Sequence, residues 1–281
     1  MDTKKIVTLV VLILCLAGGV IFNHMISSRK VVEAKTETKS EAPTTIDNPV
    51  AEADLKTNEN VVADPNKVSQ KIPILMYHHI RDFNDPTDPI GENLSVSPIN
   101  FARELDYIVS QGYKTITFDA VLANNVPAKP VILTFDDGYD NFYQFAYPEL
   151  KKRGMVAVSY VITGKIGGLY MTETQIKDVS ANGFEIGSHT ISHPDLSVIS
   201  VEKARSEIFS SKQILENMIG KTVVSFCYPS GKYNAETIDL VKEAGYQYAV
   251  TTKSGTADFQ SPFELKRFRM NKDTNIKNYL K

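Results

Sequence analysis

From about residue 72 onward the chain switches repeatedly between two hydrophobic periods. Short apolar runs of strand length fall at 72–78, 115–118, 130–135, 156–162, 184–187, 223–228, 248–251 and 265–270. Between them lie segments with apolar residues at helical spacing, at 98–111, 139–153, 173–182, 201–219, 235–244 and 275–280. Gly112, Gly154, Gly183, Gly220 and Gly245 each follow a helical run, as helix C-caps do. The run Val131-Ile132-Leu133-Thr134-Phe135 is apolar almost throughout and does not alternate, as expected of a parallel strand covered on both faces. Repeated strand–helix units predict an α/β fold with a parallel sheet or barrel. No internal sequence repeat is visible.

The N-terminal part follows other rules. Lys4 and Lys5 precede an uncharged run from Ile6 to Phe22, which suits a short membrane span or a signal peptide. No small-x-small cleavage site follows clearly. Leu14 stands before Cys15 where a lipoprotein signal would have a small residue. Residues 1–26 are therefore expected to form a membrane anchor or signal segment. Residues 27–70 are rich in Glu, Lys, Thr, Ala, Pro and Asn, poor in large apolar residues, and read as a disordered linker. Fully extended, that linker reaches on the order of 100 Å or more. The expected location is outside the cell, membrane-anchored or secreted if the segment is cleaved.

Composition narrows the partners. A net charge of −2 over 281 residues gives no electrostatic footprint for nucleic acid. The two cysteines, Cys15 and Cys227, lie in different regions, so no disulfide forms within the folded domain. Cys227 sits in an apolar run and reads as a small buried hydrophobe. No obligate protein partner is inferred.

Candidate chemistry comes from the histidines. There are five. His24 adjoins the N-terminal apolar run, whereas His78 and His79 form one group and His189 and His193 another. At helical spacing, His189 and His193 would share one face, with Cβ atoms about 5–6 Å apart. Asp136 and Asp137 end the apolar run 130–135, where α/β folds place their chemistry. Adjacent strand residues point to opposite sides, so one aspartate could bind a metal while its neighbour faces water. The plain alternative is an Asp-Asp-Gly turn in solvent. Imidazoles and a carboxylate suit a divalent metal with N/O ligands, and a further carboxylate supplies a base for hydrolysis.

Thr134-Phe135-Asp136-Asp137-Gly138 and Ser188-His189-Thr190-Ile191-Ser192-His193 resemble the first two signature motifs of the polysaccharide deacetylase family, also called the NodB-homology or carbohydrate esterase 4 family. The resemblance runs from about Ile72 to the C-terminus. It implies an incomplete or distorted (β/α) barrel over 71–281, with Asp136 as catalytic base and Asp137, His189 and His193 as metal ligands. Later motifs depart from the pattern. Where the family usually carries Arg-Pro-Pro-Tyr-Gly, this chain has Phe226-Cys227-Tyr228-Pro229-Ser230-Gly231, with Cys227 for the arginine and Ser230 for the tyrosine. The Ser230 backbone N–H can still serve the oxyanion, with Tyr228 beside it as a further substrate contact. The chain has no Trp, so the usual tryptophan motif is absent. It ends at Lys281 without the Leu-x-His that supplies the family's general acid.

Pro73-Ile74-Leu75-Met76-Tyr77-His78-His79-Ile80 resembles the first strand of a rearranged branch, which includes deacetylases of biofilm poly-β-1,6-N-acetylglucosamine. Leu94-Ser95-Val96-Ser97-Pro98, followed by Phe101, Leu105 and Ile108, resembles the same branch. That likeness implies His78 as the acid. Leu265-Lys266-Arg267-Phe268-Arg269 resembles a late Leu-x-Arg segment of members that lack the third-motif arginine. It implies that Arg267 orients Asp136; the other reading is a surface arginine. The activity expected is removal of N-acetyl groups from N-acetylglucosamine residues of a surface polysaccharide, poly-N-acetylglucosamine or peptidoglycan. One divalent ion is expected, zinc first, with cobalt or nickel also suited. Rival readings are a catalytically impaired carbohydrate-binding wall protein and an O-acetyl esterase acting on xylan or peptidoglycan.

Overall fold

Strand alternation decides what each layer of the molecule contains. A computed structural model describes residues 71–281. The anchor and linker expected over 1–26 and 27–70 lie outside the described residues. The strands are β1 (Ile74–Tyr77), β2 (His79–Ile80), β3 (Ser95–Val96), β4 (Lys114–Thr115), β5 (Pro130–Phe135), β6 (Val158–Val161), β7 (Glu185–Ser188), β8 (Ser225–Cys227), β9 (Tyr248–Val250) and β10 (Phe268–Arg269). The main sheet runs β10-β1-β5-β6-β7-β8-β9, with β4 beside β5, and its strand pairs are parallel. This curled parallel sheet with helices outside is the expected NodB-type barrel.

The segment ending in β10 joins the two edges of the sheet. Leu265 bridges to Val250 on β9, and Phe268 pairs with Leu75 on β1. A continuous strand over 265–270 was expected. Only Phe268–Arg269 is a strand, because the segment must cross from one edge to the other.

Alternate residues face opposite layers. Leu75, Tyr77, Leu133 and Phe135 pack outward against helix residues such as Phe101, Leu105, Ile176, Ile208 and Leu215. Ile74, Ile132, Val158, Tyr160, Cys227 and Leu265 fill the barrel interior. Gly187 on β7 makes room there, since a Cβ would lie 2.4 Å from the Tyr160 ring. Helices Pro98–Ser110, Glu173–Ala181, Val201–Ile219 and Ala235–Glu243 start at Ser97, Thr172, Ser200 and Asn234, whose side chains accept from backbone N–H groups of the first turn.

Several expected elements are shorter or different. The helix expected over 139–153 opens as a π-helical turn, Phe142–Ala146, before α-helix Tyr147–Lys152. Pro148 explains the break, because it has no N–H to donate and crowds the carbonyl four residues earlier. The expected strand 115–118 stops at Thr115, and Thr117 caps a helix, Phe118–Leu122. The expected helix 275–280 is a single 3-10 turn, Ile276–Asn278. A short helix, Pro89–Leu94, was not anticipated; Asp88 caps it and Pro89 opens it.

Candidate active site

The interior face of the barrel continues past the strand ends and delivers the site. On β5, Ile132 is interior, and Asp136 extends that row, 3 % exposed. His78 extends the row of Ile74 beyond β1. Arg267 extends that of Leu265, is fully buried, and grips Asp136 with both arms. Its Nη1 donates to Oδ1 at 2.7 Å and its Nη2 to Oδ2 at 2.8 Å. The remaining donors go to Thr251 O, Thr134 Oγ1 and Cys227 Sγ. All N–H groups of the guanidinium are thereby used. Burial alone would raise the Asp136 pKa, but the Arg267 charge outweighs it and holds the carboxyl well below the usual carboxylate range.

Asp137 reaches the same cavity by a different device. Simple alternation would turn it outward, yet its φ of +72° redirects the chain and brings both aspartates to one pocket. Its Oδ1 lies 3.4 Å from His189 Nε2 and 3.6 Å from His193 Nε2. The helical turn expected for the two histidines is absent. They sit instead on a loop after β7, in which Thr190 and His193 take positive φ. Glu207, on the inner face of helix Val201–Ile219, fixes this loop by accepting from the N–H groups of Ile191 and Ser192 and from Ser192 Oγ.

Donor chemistry in this trio fits a divalent ion. One ligand atom from each of Asp137, His189 and His193 lies within 4.8 Å of the others. His189 Nδ1 meets Cys227 O at 2.7 Å, and a carbonyl can only accept. The Nδ1 therefore carries the proton, and Nε2 presents its lone pair. A second trio, Asp136, His189 and Cys227, is equally compact, but both Asp136 oxygens are already held by Arg267.

His78 is 9 % exposed, with Nε2 3.8 Å from Asp136 Oδ2. Burial lowers its pKa to about 4, and its Nδ1 has no hydrogen-bond partner among the described residues. His79 points elsewhere: its Nδ1 meets the Asn141 side-chain amide at 2.8 Å and its ring stacks on Tyr139. Ser230, at φ +53°, lines the cavity. Tyr228, expected to contact substrate, is not among the residues that line the cavity. Its hydroxyl donates to Phe263 O and its ring stacks on Tyr233, so the side chain belongs to the wall behind the site.

The model of the family described as polysaccharide deacetylase matches residues 123–249. YxkH of Bacillus subtilis (strain 168), a protein named for the polysaccharide deacetylases, is 38% identical over 207 residues, 71% of this chain and 71% of its own. The chain belongs to the polysaccharide deacetylase family. The poly-beta-1,6-N-acetyl-D-glucosamine N-deacetylase of Staphylococcus aureus (strain MRSA252) is 26% identical over 201 residues, covering 62% of this chain and 69% of that protein. Among solved structures, Streptococcus pyogenes deacetylase PplD in complex with acetate superimposes with a TM-score of 0.70 at 33% identity, over 76% of this chain and 99% of that one.

In this member of the family, His78 and Arg267 lie outside the matched stretch 123–249. The guanidinium still arrives beside residue 227, 3.3 Å from the Cys227 sulfur, but from the segment that leads into β10. Sequence reading missed Glu207, Thr252, Arg269 and the helix Pro89–Leu94, the last three of which contribute to a cavity of about 380 Å³. Glu207 was findable, because it interrupts the apolar face formed by Ala204, Ile208 and Leu215. Arg269 was findable too, two residues beyond Arg267 and so on the same face of an extended chain.

Proposed function

We propose that this chain removes N-acetyl groups from N-acetylglucosamine residues of a cell-surface polysaccharide, poly-N-acetylglucosamine or peptidoglycan, with one divalent metal ion. The observation that carries the reading is convergence. The arginine-held Asp136, the Asp137–His189–His193 trio and His78 all border one open cavity. The names of the Staphylococcus aureus relative and of the acetate-bound PplD support the substrate chemistry. The uncharged run from Ile6 to Phe22 supports export and tethering at the outer membrane face.

Asp137, His189 and His193 would hold the ion, for which zinc suits this donor set best. When bound, the ion acts as a Lewis acid toward water and the acetyl carbonyl. The chain supplies the proton transfers. Asp136 stays ionised through the neutral range and accepts a proton from the attacking water. His78 is neutral at rest. It takes up at Nε2, the nitrogen facing Asp136, the proton that Asp136 accepted from water, and delivers it to the departing amine, which is a poor leaving group unless protonated; Asp136 is thereby returned to its ionised form. The turn at residues 228–232 uses the N–H groups of Gly231 and Lys232 internally. In this reading the Ser230 N–H is the donor for the developing oxyanion.

The test is acetate release by purified protein, metal-stripped and metal-reloaded, from β-1,6- and β-1,4-linked N-acetylglucosamine oligomers, peptidoglycan and acetylxylan. Metal-dependent release from the N-acetylated glycans is expected. Asp136→Asn should lower kcat by about 10²–10⁴ while keeping the metal. Release from acetylxylan alone would overturn the N-acetyl reading.

A further inference from the structure

Arg269 is the cation of the cavity left over after the catalytic groups are paired. It follows Arg267 on the interior face and lines the cavity with His78, Asp136, Asp137 and His189. Arg267 commits all its donors. Among the described residues, the Arg269 side chain enters no ion pair and no hydrogen bond, and its Nη1 is shut off from solvent without an acceptor. Neither nearby carboxylate is paired with it. Asp136 is held at both oxygens by Arg267, and Asp137 Oδ1 faces the two histidines. The side chain is half-buried, but a charged N–H shut off from solvent without an acceptor is costly, and it is completed when a ligand supplies one.

Neutral N-acetylglucosamine offers only hydroxyl and amide groups, whose bonds to a guanidinium are weak beside those of an anion. A planar fork of N–H donors matches a carboxylate or phosphate, which it can grip at two points. We propose that Arg269 reads a negative charge on the substrate. The preferred glycan then carries a carboxylate or phosphate substituent on the acetylated sugar or its immediate neighbour. This rests on the deacetylase reading above, and it makes Arg269 a specificity-determining residue outside the proton transfers.

The experiment separates binding from turnover. Affinities of the metal-stripped full chain would be measured by calorimetry for matched oligomers. One set is neutral (N-acetylglucosamine), one carries a carboxylate (peptide-free strands containing N-acetylmuramic acid), and one is phosphate-substituted. The wild type should bind an anionic set about ten- to hundredfold more tightly than the neutral set, the range for hydrogen bonds to charged groups. Added salt should erode that preference. Arg269→Gln should abolish the preference, and Arg269→Lys should retain part of it, since it keeps the charge but not the fork. The carboxylate and phosphate arms identify which anion is read. Equal affinity of the wild type for all sets, or an equal loss on all sets in Arg269→Gln, would overturn the proposal. Acetate release by the reloaded enzyme is scored separately. Turnover without discrimination defeats only the charge reading, and discrimination without turnover defeats only the deacetylase reading.

Discussion

Arg267 and Asp136 stand 131 residues apart in the chain and meet as a two-point ion pair, with arms of 2.7 and 2.8 Å, both side chains buried. Deleting one partner leaves an unpaired buried charge, which costs about 3–5 kcal/mol; deleting both removes the charge problem. Arg267→Gln should therefore destabilise the metal-stripped protein strongly in urea denaturation, and the Arg267→Gln/Asp136→Asn double variant should recover a large part of the loss. Additive effects of the two substitutions would show that the pair is not energetically coupled.

The loop carrying His189 and His193 has positive φ at Thr190 and His193, and Glu207 ties its backbone to a helix. Metal affinity should depend on that tie. His193→Ala is expected to remove most bound zinc. Glu207→Gln keeps the shape but loses the charge, and it should weaken zinc binding by about ten- to hundredfold, as for other groups that orient ligands. Competition titration with a chromophoric chelator measures both. Wild-type affinity in Glu207→Gln would remove Glu207 from the positioning role.

The alternation of strand and helix was legible, and with it the parallel sheet, because buried parallel strands and amphipathic helices leave distinct periods. Asp136 and His78 were legible by position, since each continues an interior row at the end of a strand. The arrangement around Asp137 and His193 was not. Local periodicity contains no term for the left-handed turns that bring them together, and the helical reading of His189 and His193 failed for that reason. Cys227 is buried, as its apolar surroundings suggested. Local periodicity could not show that the crossover from β9 to β1 places the Arg267 guanidinium beside its sulfur. The helix Pro89–Leu94 was missed because its contribution is to wall the cavity, with Ile90 71% exposed, and so it has no apolar stripe.

Glu104 gives a pH signature away from the metal trio. It is 7% exposed, and Tyr77 Oη donates to its Oε2 at 2.9 Å. Burial raises its pKa to about 7, an effect the Tyr77 hydrogen bond opposes. A carboxyl whose folded pKa is raised favours folding while protonated. Its contribution is present below the unfolded pKa and is lost as pH rises through about 7. Glu104→Gln should therefore gain on the wild type between pH 5 and 8, by up to about 3 kcal/mol for a shift of this size. Urea denaturation of the metal-stripped proteins at both pH values is the measurement, and parallel behaviour of the two would refute the assignment.

His78 and His79 divide the acid question between them, because neighbours on an extended chain face opposite ways. His78 Nε2 looks toward Asp136 Oδ2 across 3.8 Å, whereas His79 is fixed by Asn141 and by its stack on Tyr139. His78→Ala should lower amide deacetylation by about 10²–10⁴ with metal occupancy unchanged. His79→Ala should instead reduce stability by about 1–2 kcal/mol, the scale of one hydrogen bond and one ring contact, with a small effect on turnover. An activated acetate ester has a leaving group that needs no proton, so the His78 variant should hydrolyse it with a much smaller deficit. Equal losses on amide and ester would mean that His78 positions the substrate and donates no proton. A larger loss from His79→Ala would move the acid role to that ring, despite its distance from the cavity wall.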